Sequence, residues 1–135
     1  MLRIMADHNI EGQFDDLVDF IEGGVWQEFW VELKMRVERF ATLGLPVDAP
    51  DDVVWRACQE HEIRLFTANR NQEGDDSLEA TIRREHTPTS LPVFTLANVP
   101  RFEESREYAE RVAVRLLEYL MDIGAVRGAG RIYLP

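Results

Sequence analysis

Three short apolar runs, separated by segments with helical spacing, restrict the folds open to this chain. The runs are LRIMA at residues 2–6, IRLFTA at 63–68 and LPVFTLA at 91–97. Continuous apolar runs of this length are typical of strands that are buried on both faces of a sheet. Parallel strands need long crossover connections, which are usually helices. The pattern therefore predicts an α/β fold with a mostly parallel central sheet flanked by helices.

The segments between the runs predict the helices. Residues 13–43 carry apolar side chains three and four positions apart, and Gly23 with Gly24 divides them into two helices, the second reaching Leu43. Further helices are predicted at DDVVWRACQEH (51–61), SLEATIRREH (77–86) and EESREYAERVAVRLLEYLMDIG (103–124). The tail GRIYLP (130–135) is expected to add an edge strand.

The overall composition suits one compact domain with a core. The chain has 135 residues, of which 45% are hydrophobic, and we expect a single domain over residues 1–135. No apolar run approaches the roughly 20 residues of a membrane span, so we expect a cytoplasmic protein without membrane contact. Cys58 is the only cysteine, which excludes an intramolecular disulfide and a cysteine-rich zinc site. We expect Cys58 in the core.

The net charge of −10 limits how the protein can meet a nucleic acid. Loose, charge-driven binding depends on Lys and Arg that neutralise phosphates, whereas this chain has 25 acidic and 15 basic residues. A bound divalent cation, however, can invert the sign of an acidic pocket. The charge therefore argues against nonspecific electrostatic binding and leaves a metal-dependent nuclease open.

Polar clusters lie at the ends of the predicted elements in three places. They are DHN at 7–9, PDD at 50–52 and TANRNQEGDDS at 67–77. The carboxyl ends of parallel strands share one edge of an α/β sheet, which is the usual ligand side. Carboxylates at this edge can hold Mg²⁺ or Mn²⁺ through oxygen, with water and substrate phosphate completing the shell. The candidate metal ligands are Asp7, Asp51, Asp52 and Asp76.

Other side chains in these clusters suit catalysis or substrate binding. Asn69 can ligate a metal or orient a water, and Arg70 can donate hydrogen bonds to a phosphate. The predicted catalytic residues are Asp7, Asp51, Asn69 and Asp76. The predicted substrate-binding residues are Asn9, Arg70, Asn71 and Ser77.

Helix capping explains several of the same residues without any function. Asp51 follows Pro50 and can cap its own helix, and an acid in the first turn interacts favourably with the helix dipole. Asp76 or Ser77 can cap the following helix, and Asp76 with Glu79 has the spacing of a capping box. Capping and catalysis do not exclude each other at these positions.

The order of these features resembles the PIN-domain superfamily of metal-dependent ribonucleases. The matching segments are MADHN at residues 5–9, DDVVWRACQEHEIRLFT at 51–67 and TAN at 67–69. The layout is most similar to PIN-like proteins related to the Mut7-C domain and to small toxin-like relatives. The likeness extends over nearly the whole chain and implies a single-domain, three-layer PIN-like fold.

The resemblance also implies roles for particular residues. Asp7 and Asp51 correspond to metal-binding acids, and Asn69 stands at the polar position that ends a strand. A typical member carries another acid near the position of Gln72, which is not acidic. The nearby acids that can supply this charge are Asp75, Asp76 and Glu79. For a further family acid, on an intervening helix, the candidates are Glu32 and Glu38.

The function that the resemblance implies is hydrolysis of RNA with Mg²⁺ or Mn²⁺ as cofactor. The expected substrate is single-stranded RNA, and the biological role by analogy is the toxin of a toxin–antitoxin pair, with an antitoxin protein as partner and a homodimer as the assembly. Two alternatives stay open: a catalytically degenerate PIN-like module that binds protein or RNA, and another phosphohydrolase that uses a strand-end aspartate.

Overall fold

A computed structural model of the chain describes residues 1–71 and 73–135. Five strands form one sheet in the order β2-β1-β3-β4-β5, and every neighbouring pair is parallel. The strands are β1 (Leu2–Ala6), β2 (Met35–Glu38), β3 (Ile63–Thr67), β4 (Val93–Leu96) and β5 (Arg131–Leu134). The α/β fold with a parallel central sheet is confirmed. Gln72, near which the resemblance to PIN domains leads us to expect an acid, lies outside the described residues.

The connections between the strands are mainly helical. The α-helices are α1 (Glu11–Glu22), α2 (Gln27–Glu32), α3 (Asp51–Glu60), α4 (Leu78–Glu85), α5 (Val99–Glu104), α6 (Arg106–Met121) and α7 (Ile123–Val126). Two short 3₁₀ turns occupy His8–Ile10 and Phe40–Leu43. Among the described residues, no helix is both long enough and apolar enough to cross a membrane.

Alternate residues of the strands build two separate cores, one on each face of the sheet. On one face, Ile4, Phe66 and Phe94 pack with buried side chains of α1 and α6. On the other face, Met5 and Leu65 pack with buried side chains of α3 and α4. Successive strand residues point to opposite faces, so apolar runs without alternation are what a two-sided core requires. The molecule therefore has three layers, with helices on both sides of the sheet.

The second predicted helix is wrong in its second half. Helix α2 ends at Glu32, and Met35–Glu38 forms the edge strand β2 instead. Lys34 has a φ of 53°, which interrupts the helix before the strand begins. β2 pairs with β1, and the buried Glu38 carboxylate lies 3.0 Å from both Arg3 Nε and Arg36 Nε. Contacts with a distant strand therefore override the local helical spacing.

The single helix predicted at residues 103–124 is divided in the structure into α5, α6 and α7. Asn98 Oδ1 accepts a hydrogen bond from Arg101 N at 3.0 Å and begins α5, and Ser105 Oγ accepts one from Tyr108 N at 3.1 Å and begins α6. The α6 helix ends at Met121, before the predicted stop at Gly124. The expected edge strand in the tail is confirmed as β5, parallel to β4.

The topology places a crevice between β1 and β3. The chain leaves β1 toward β2 through α1, on one face, and returns from β2 to β3 through α3, on the other face. The strand order therefore reverses at β1, which is a topological switch point of a doubly wound sheet. In open α/β sheets, ligands bind outside the carboxyl ends of the strands at this point. Asp7 directly follows β1 there.

Candidate active site

A cleft of about 330 Å³ opens at the carboxyl ends of β1 and β3. Its lining residues are Asp7, Asn9, Ile10, Thr67, Ala68 and Asn69. A larger cleft of about 560 Å³ lies along α6, lined by charged side chains such as Glu110 and Arg111 together with Pro135. We assign the site to the smaller cleft because it lies at the switch point and contains a carboxylate with a perturbed pKa.

Asp7 is fixed at the end of β1 by both its backbone and its side chain. Its backbone N donates to Phe66 O at 2.8 Å, and its carbonyl O accepts from Ile10 N at 3.0 Å. Its Oδ2 accepts a hydrogen bond from Thr67 Oγ1 at 3.0 Å. Thr67 is completely buried at the end of β3. The parallel pairing of β1 with β3 therefore holds the carboxylate at the mouth of the cleft.

Asp51 reaches the same network from the first turn of α3. Its Oδ2 accepts hydrogen bonds from Asn69 Nδ2 at 2.8 Å and from Leu78 N at 3.2 Å. The predicted capping of its own helix by Asp51 is wrong, because Pro50 is the N-cap residue and makes no side-chain cap hydrogen bond. Asp51 instead joins the loop after β3 to the first residue of α4.

Asn69 connects the two carboxylates. Its backbone N donates to Thr67 Oγ1 at 3.0 Å, while its side-chain Nδ2 donates to Asp51. Its Oδ1 accepts from Asn71 N at 2.9 Å, which fixes the orientation of the amide. An unbroken chain of hydrogen bonds thus runs from Asp7 through Thr67 and Asn69 to Asp51. Three residues predicted from sequence are brought together at one edge of the sheet.

The electrostatics of this network are unfavourable for a free carboxylate. Burial raises the pKa of Asp7, and the negative charge of Asp51 raises it further, against the lowering effect of the hydrogen bond from Thr67.

Cys58 lies in the adjoining core, where burial, with a smaller contribution from Asp7, raises the pKa of its thiol to about 12. The expectation that Cys58 belongs to the core is confirmed, since it is 1% exposed.

The other candidate acids have different surroundings. Asp52 Oδ2 lies 3.3 Å from Arg56 Nη1, and Asp52 Oδ1 accepts from Val53 N at 2.9 Å. Asp76 is exposed in the loop that precedes α4. Within residues 1–71 and 73–135, no group of three or more Asp, Glu, His or Cys side chains is arranged to hold a metal ion. The carboxylates that the hydrogen-bonded network links, through Thr67 and Asn69, are Asp7 and Asp51.

The capping predictions for α4 are resolved in favour of Ser77. Its Oγ accepts a hydrogen bond from Ala80 N at 3.2 Å, so Ser77 begins the helix. The capping box of Asp76 with Glu79 is not formed, because Glu79 Oε2 lies 2.9 Å from Arg131 Nη2. Ser77 is 3% exposed, which places it below the surface as a helix cap.

The predicted substrate-binding residues occupy different positions around the cleft. Asn9 is exposed and lines the cleft directly. Asn71 is exposed, and its Oδ1 accepts from Glu73 N at 3.0 Å within the loop. Arg70 turns toward β4 and β5: Nη2 donates to Ala97 O, and the guanidinium lies 5.5 Å from the centre of the Tyr133 ring. Arg70 therefore lies at the same sheet edge, displaced from Asp7.

The further acids considered for a metal site lie outside this network. Glu38 lies on the edge strand β2 and forms ion pairs with Arg3 of β1 and Arg36 of β2. Glu32 lines a small cleft with Phe29, Leu33 and Met121. Glu38 is thus paired with two arginines, and Glu32 is exposed on α2.

Arg131 supports the site and was not among the residues predicted from sequence. Its Nη1 donates to Asn69 O at 2.7 Å and to Thr95 Oγ1 at 2.8 Å, while Nε donates to Glu79 Oε2 at 3.0 Å. Its side chain is 6% exposed. The sequence shows only a single Arg at the start of an apolar tail strand, and no neighbouring residue indicates that Arg131 contacts Asn69. Thr67 was missed as well, although it is a polar residue ending a buried run.

Searches of protein-family models, of curated proteins and of solved structures found no match to this chain.

Removing Arg131 should destabilise the protein much more than removing its exposed counterpart. Both Arg131 and Arg83 approach Glu79, at 2.9 Å and 3.8 Å, but their side chains are 6% and 67% exposed. Arg131→Met leaves Glu79, the buried Thr95 hydroxyl and the carbonyl of the half-buried Asn69 without this donor, and we expect a loss of about 3 kcal/mol in the free energy of unfolding. Arg83→Met should change it by less than about 0.5 kcal/mol. Urea unfolding measures both, and equal losses would contradict the assignment.

Asp7→Asn should stabilise the metal-free protein at neutral pH. The pKa of Asp7 is raised on folding above its usual value of 3.8, chiefly by burial, so between these two pKa values the folded state holds a proton that the unfolded chain has released. Above both values Asp7 is ionised in both states, and burial makes the ionised form less favourable in the folded protein. Stability therefore falls as the pH rises through the interval between the two pKa values. The amide can still accept from Thr67, so we expect a gain of roughly 0.5 to 2 kcal/mol at pH 7.

That gain should disappear at about pH 3 and below, where Asp7 is largely protonated in both states because the pH lies below its pKa in the unfolded chain. The measurement is urea unfolding in EDTA at both pH values. Asp52→Asn is the control, because it removes an ion pair with Arg56 and should cause a small loss. A lower free energy of unfolding for Asp7→Asn than for the wild type at pH 7 would show that the charge of Asp7 does not destabilise the folded protein.

Proposed function

We propose that this protein is a PIN-like, metal-dependent ribonuclease that hydrolyses phosphodiester bonds of single-stranded RNA. The observation that carries the proposal is the hydrogen-bonded network from Asp7 to Asp51 at the switch point of the sheet. The order of Asp7, Asp51 and the TAN segment in the chain, which resembles the PIN superfamily, supports the same proposal.

The donor set at the cleft fits a hard divalent cation. Mg²⁺ is commonly bound by one or two carboxylates, with waters and substrate phosphates supplying the remaining ligands. Asp7 and Asp51 are the carboxylates that would hold it. A cation would also offset the electrostatic cost at Asp7, because burial and the charge of Asp51 both raise the pKa of this carboxyl. When bound, such an ion stabilises the negative charge that develops on a phosphodiester during hydrolysis.

The remaining residues of the network have positioning roles in this proposal. Thr67 holds the Asp7 carboxylate through its hydroxyl, and Asn69 holds Asp51 through its amide. Both carboxylates are thereby fixed before substrate arrives, which reduces the reorganisation needed during the reaction. Asn9, which is exposed on the cleft wall, is the residue that we assign to contact with RNA.

A catalytically degenerate binding module is the second candidate. The observation that favours it is that the described part of the chain gathers no group of three acidic, His or Cys side chains. Asp52 contacts Arg56 and Glu79 contacts Arg131, so neither adds charge to the cleft. A module of this kind would bind RNA or protein at the same edge without hydrolysis.

The biological role that we propose by analogy is the toxin of a toxin–antitoxin pair in the cytoplasm. An antitoxin protein would then be the natural inhibitor, and a homodimer is the assembly that we expect. Co-expression with neighbouring small proteins, followed by size measurement of any complex, tests these proposals separately from the chemistry.

Cleavage of a labelled, mixed-sequence single-stranded RNA tests the enzyme. With Mn²⁺ we expect cutting that EDTA abolishes. Asp7→Asn and Asp51→Asn should each reduce the rate by about 100-fold or more, since the lost stabilisation is several kcal/mol and each 1.36 kcal/mol is tenfold. Asp122→Asn makes the same charge change at an exposed position beyond the far end of α6 and should cut normally.

Calorimetric titration with Mn²⁺ separates the two candidates. The ribonuclease proposal expects a binding isotherm for the wild type that is lost in Asp7→Asn. RNA that remains intact, together with no Mn²⁺ binding, would overturn it and favour the binding module. Cutting that persists in both aspartate variants would place the chemistry elsewhere in the molecule or in a contaminant.

A further inference from the structure

We propose that Tyr133, with Arg70 against its ring, forms a stacking subsite for a nucleobase of single-stranded RNA. The proposal rests on the proposed function for its choice of ligand. It adds a residue on β5 that has no place in the carboxylate network. The subsite lies on the strand edge beside the cleft and gives the RNA a second point of contact.

Tyr133 is unusual in its exposure. Among the described residues, the aromatic side chains in the set of exposed large apolar residues are Tyr133, which is 49% exposed, and Phe29, which is 42% exposed. Phe29 lies on α2, whereas Tyr133 lies near the end of β5 at the carboxyl edge of the sheet. An aromatic ring left half-exposed at a ligand-binding edge is available for stacking.

The register of the sheet relates Tyr133 to the cleft. Thr67 pairs with Thr95, and Thr95 pairs with Tyr133, so the three residues form one rung across β3, β4 and β5. Paired residues of parallel strands share a face, and neighbouring strands lie about 4.8 Å apart. Tyr133 is therefore about 10 Å from the strand end that carries Thr67. An extended strand of RNA that enters the cleft can reach this ring along the sheet edge.

Arg70 joins the ring to the site loop. Its guanidinium lies 5.5 Å from the Tyr133 ring centre, and it follows Asn69, whose amide holds Asp51. A cation beside an aromatic ring holds the ring in place and adds positive charge at the edge of an acidic protein. Aromatic rings and Arg planes are the usual platforms for unstacked bases of single-stranded RNA, whereas phosphates need positive charge. The pair supplies both.

The test is binding of a fluorescently labelled 10-nucleotide RNA, measured by anisotropy with Ca²⁺ in place of Mn²⁺. RNA integrity is checked on a gel after each titration. Tyr133→Leu keeps an apolar side chain on the strand and removes the ring, and we expect affinity to fall by about 10-fold or more. Tyr133→Phe should bind like the wild type, because it keeps the ring. Phe29→Leu is the matched control at the other exposed aromatic residue and should change nothing.

A second RNA of the same length that lacks bases distinguishes stacking from phosphate binding. We expect the wild type to bind the RNA without bases about as weakly as Tyr133→Leu binds the complete RNA. Tyr133→Leu should bind the two RNAs with nearly equal affinity. Equal binding of the complete RNA by wild type and Tyr133→Leu, or no RNA binding by the wild type, would overturn the subsite. If Tyr133→Leu loses base-dependent binding while the wild type shows no Mn²⁺-dependent cleavage, the subsite is upheld and only the ribonuclease proposal is rejected.

Discussion

The parallel pairing of β1 with β3 is the contact on which the candidate site depends. It aligns Ala6 with Phe66 and so brings the next residues, Asp7 and Thr67, to the same level at the edge of the sheet. The hydrogen bond from Asp7 N to Phe66 O continues the ladder by one step beyond the strand. The carboxylate position is therefore set by the backbone of the core. The position of Asn69, which links Thr67 to Asp51 on α3, depends instead on the conformation of the loop after β3.

The two faces of the sheet differ in what they bring to this edge. The face covered by α1 and α6 is filled by a large apolar cluster that includes Phe14, Phe66 and Leu116. The other face ends in polar residues, because Thr67 and Thr95 follow Leu65 and Val93 at the carboxyl ends of their strands. Hydrogen bonding to these buried hydroxyls compensates for their burial. The polar end of one face thus supplies hydrogen-bonding groups to the candidate site without opening the core.

Sequence reasoning succeeds where local pattern and topology agree. The strands β1, β3 and β4 are continuous apolar runs, and the rule that parallel strands end at one edge predicts that Asp7 and Asn69 come together. It fails at β2, whose apolar spacing also fits a helix and whose conformation is decided by pairing with a strand 33 residues earlier in the chain. The role of Arg131 escapes for the same reason, since its partners Asn69 and Glu79 are distant in sequence.

The donor that holds the carbonyl of Asn69 is synthesised late, because Arg131 lies on β5. β5 is the last strand along the sequence, so the guanidinium that holds the site loop leaves the ribosome after every carboxylate of the network. A nascent chain can pair β1, β3 and β4 while this loop still lacks its anchor. The carbonyl of Asn69 therefore gains this donor only when β5 pairs with β4, after the residues of the hydrogen-bonded network have been synthesised.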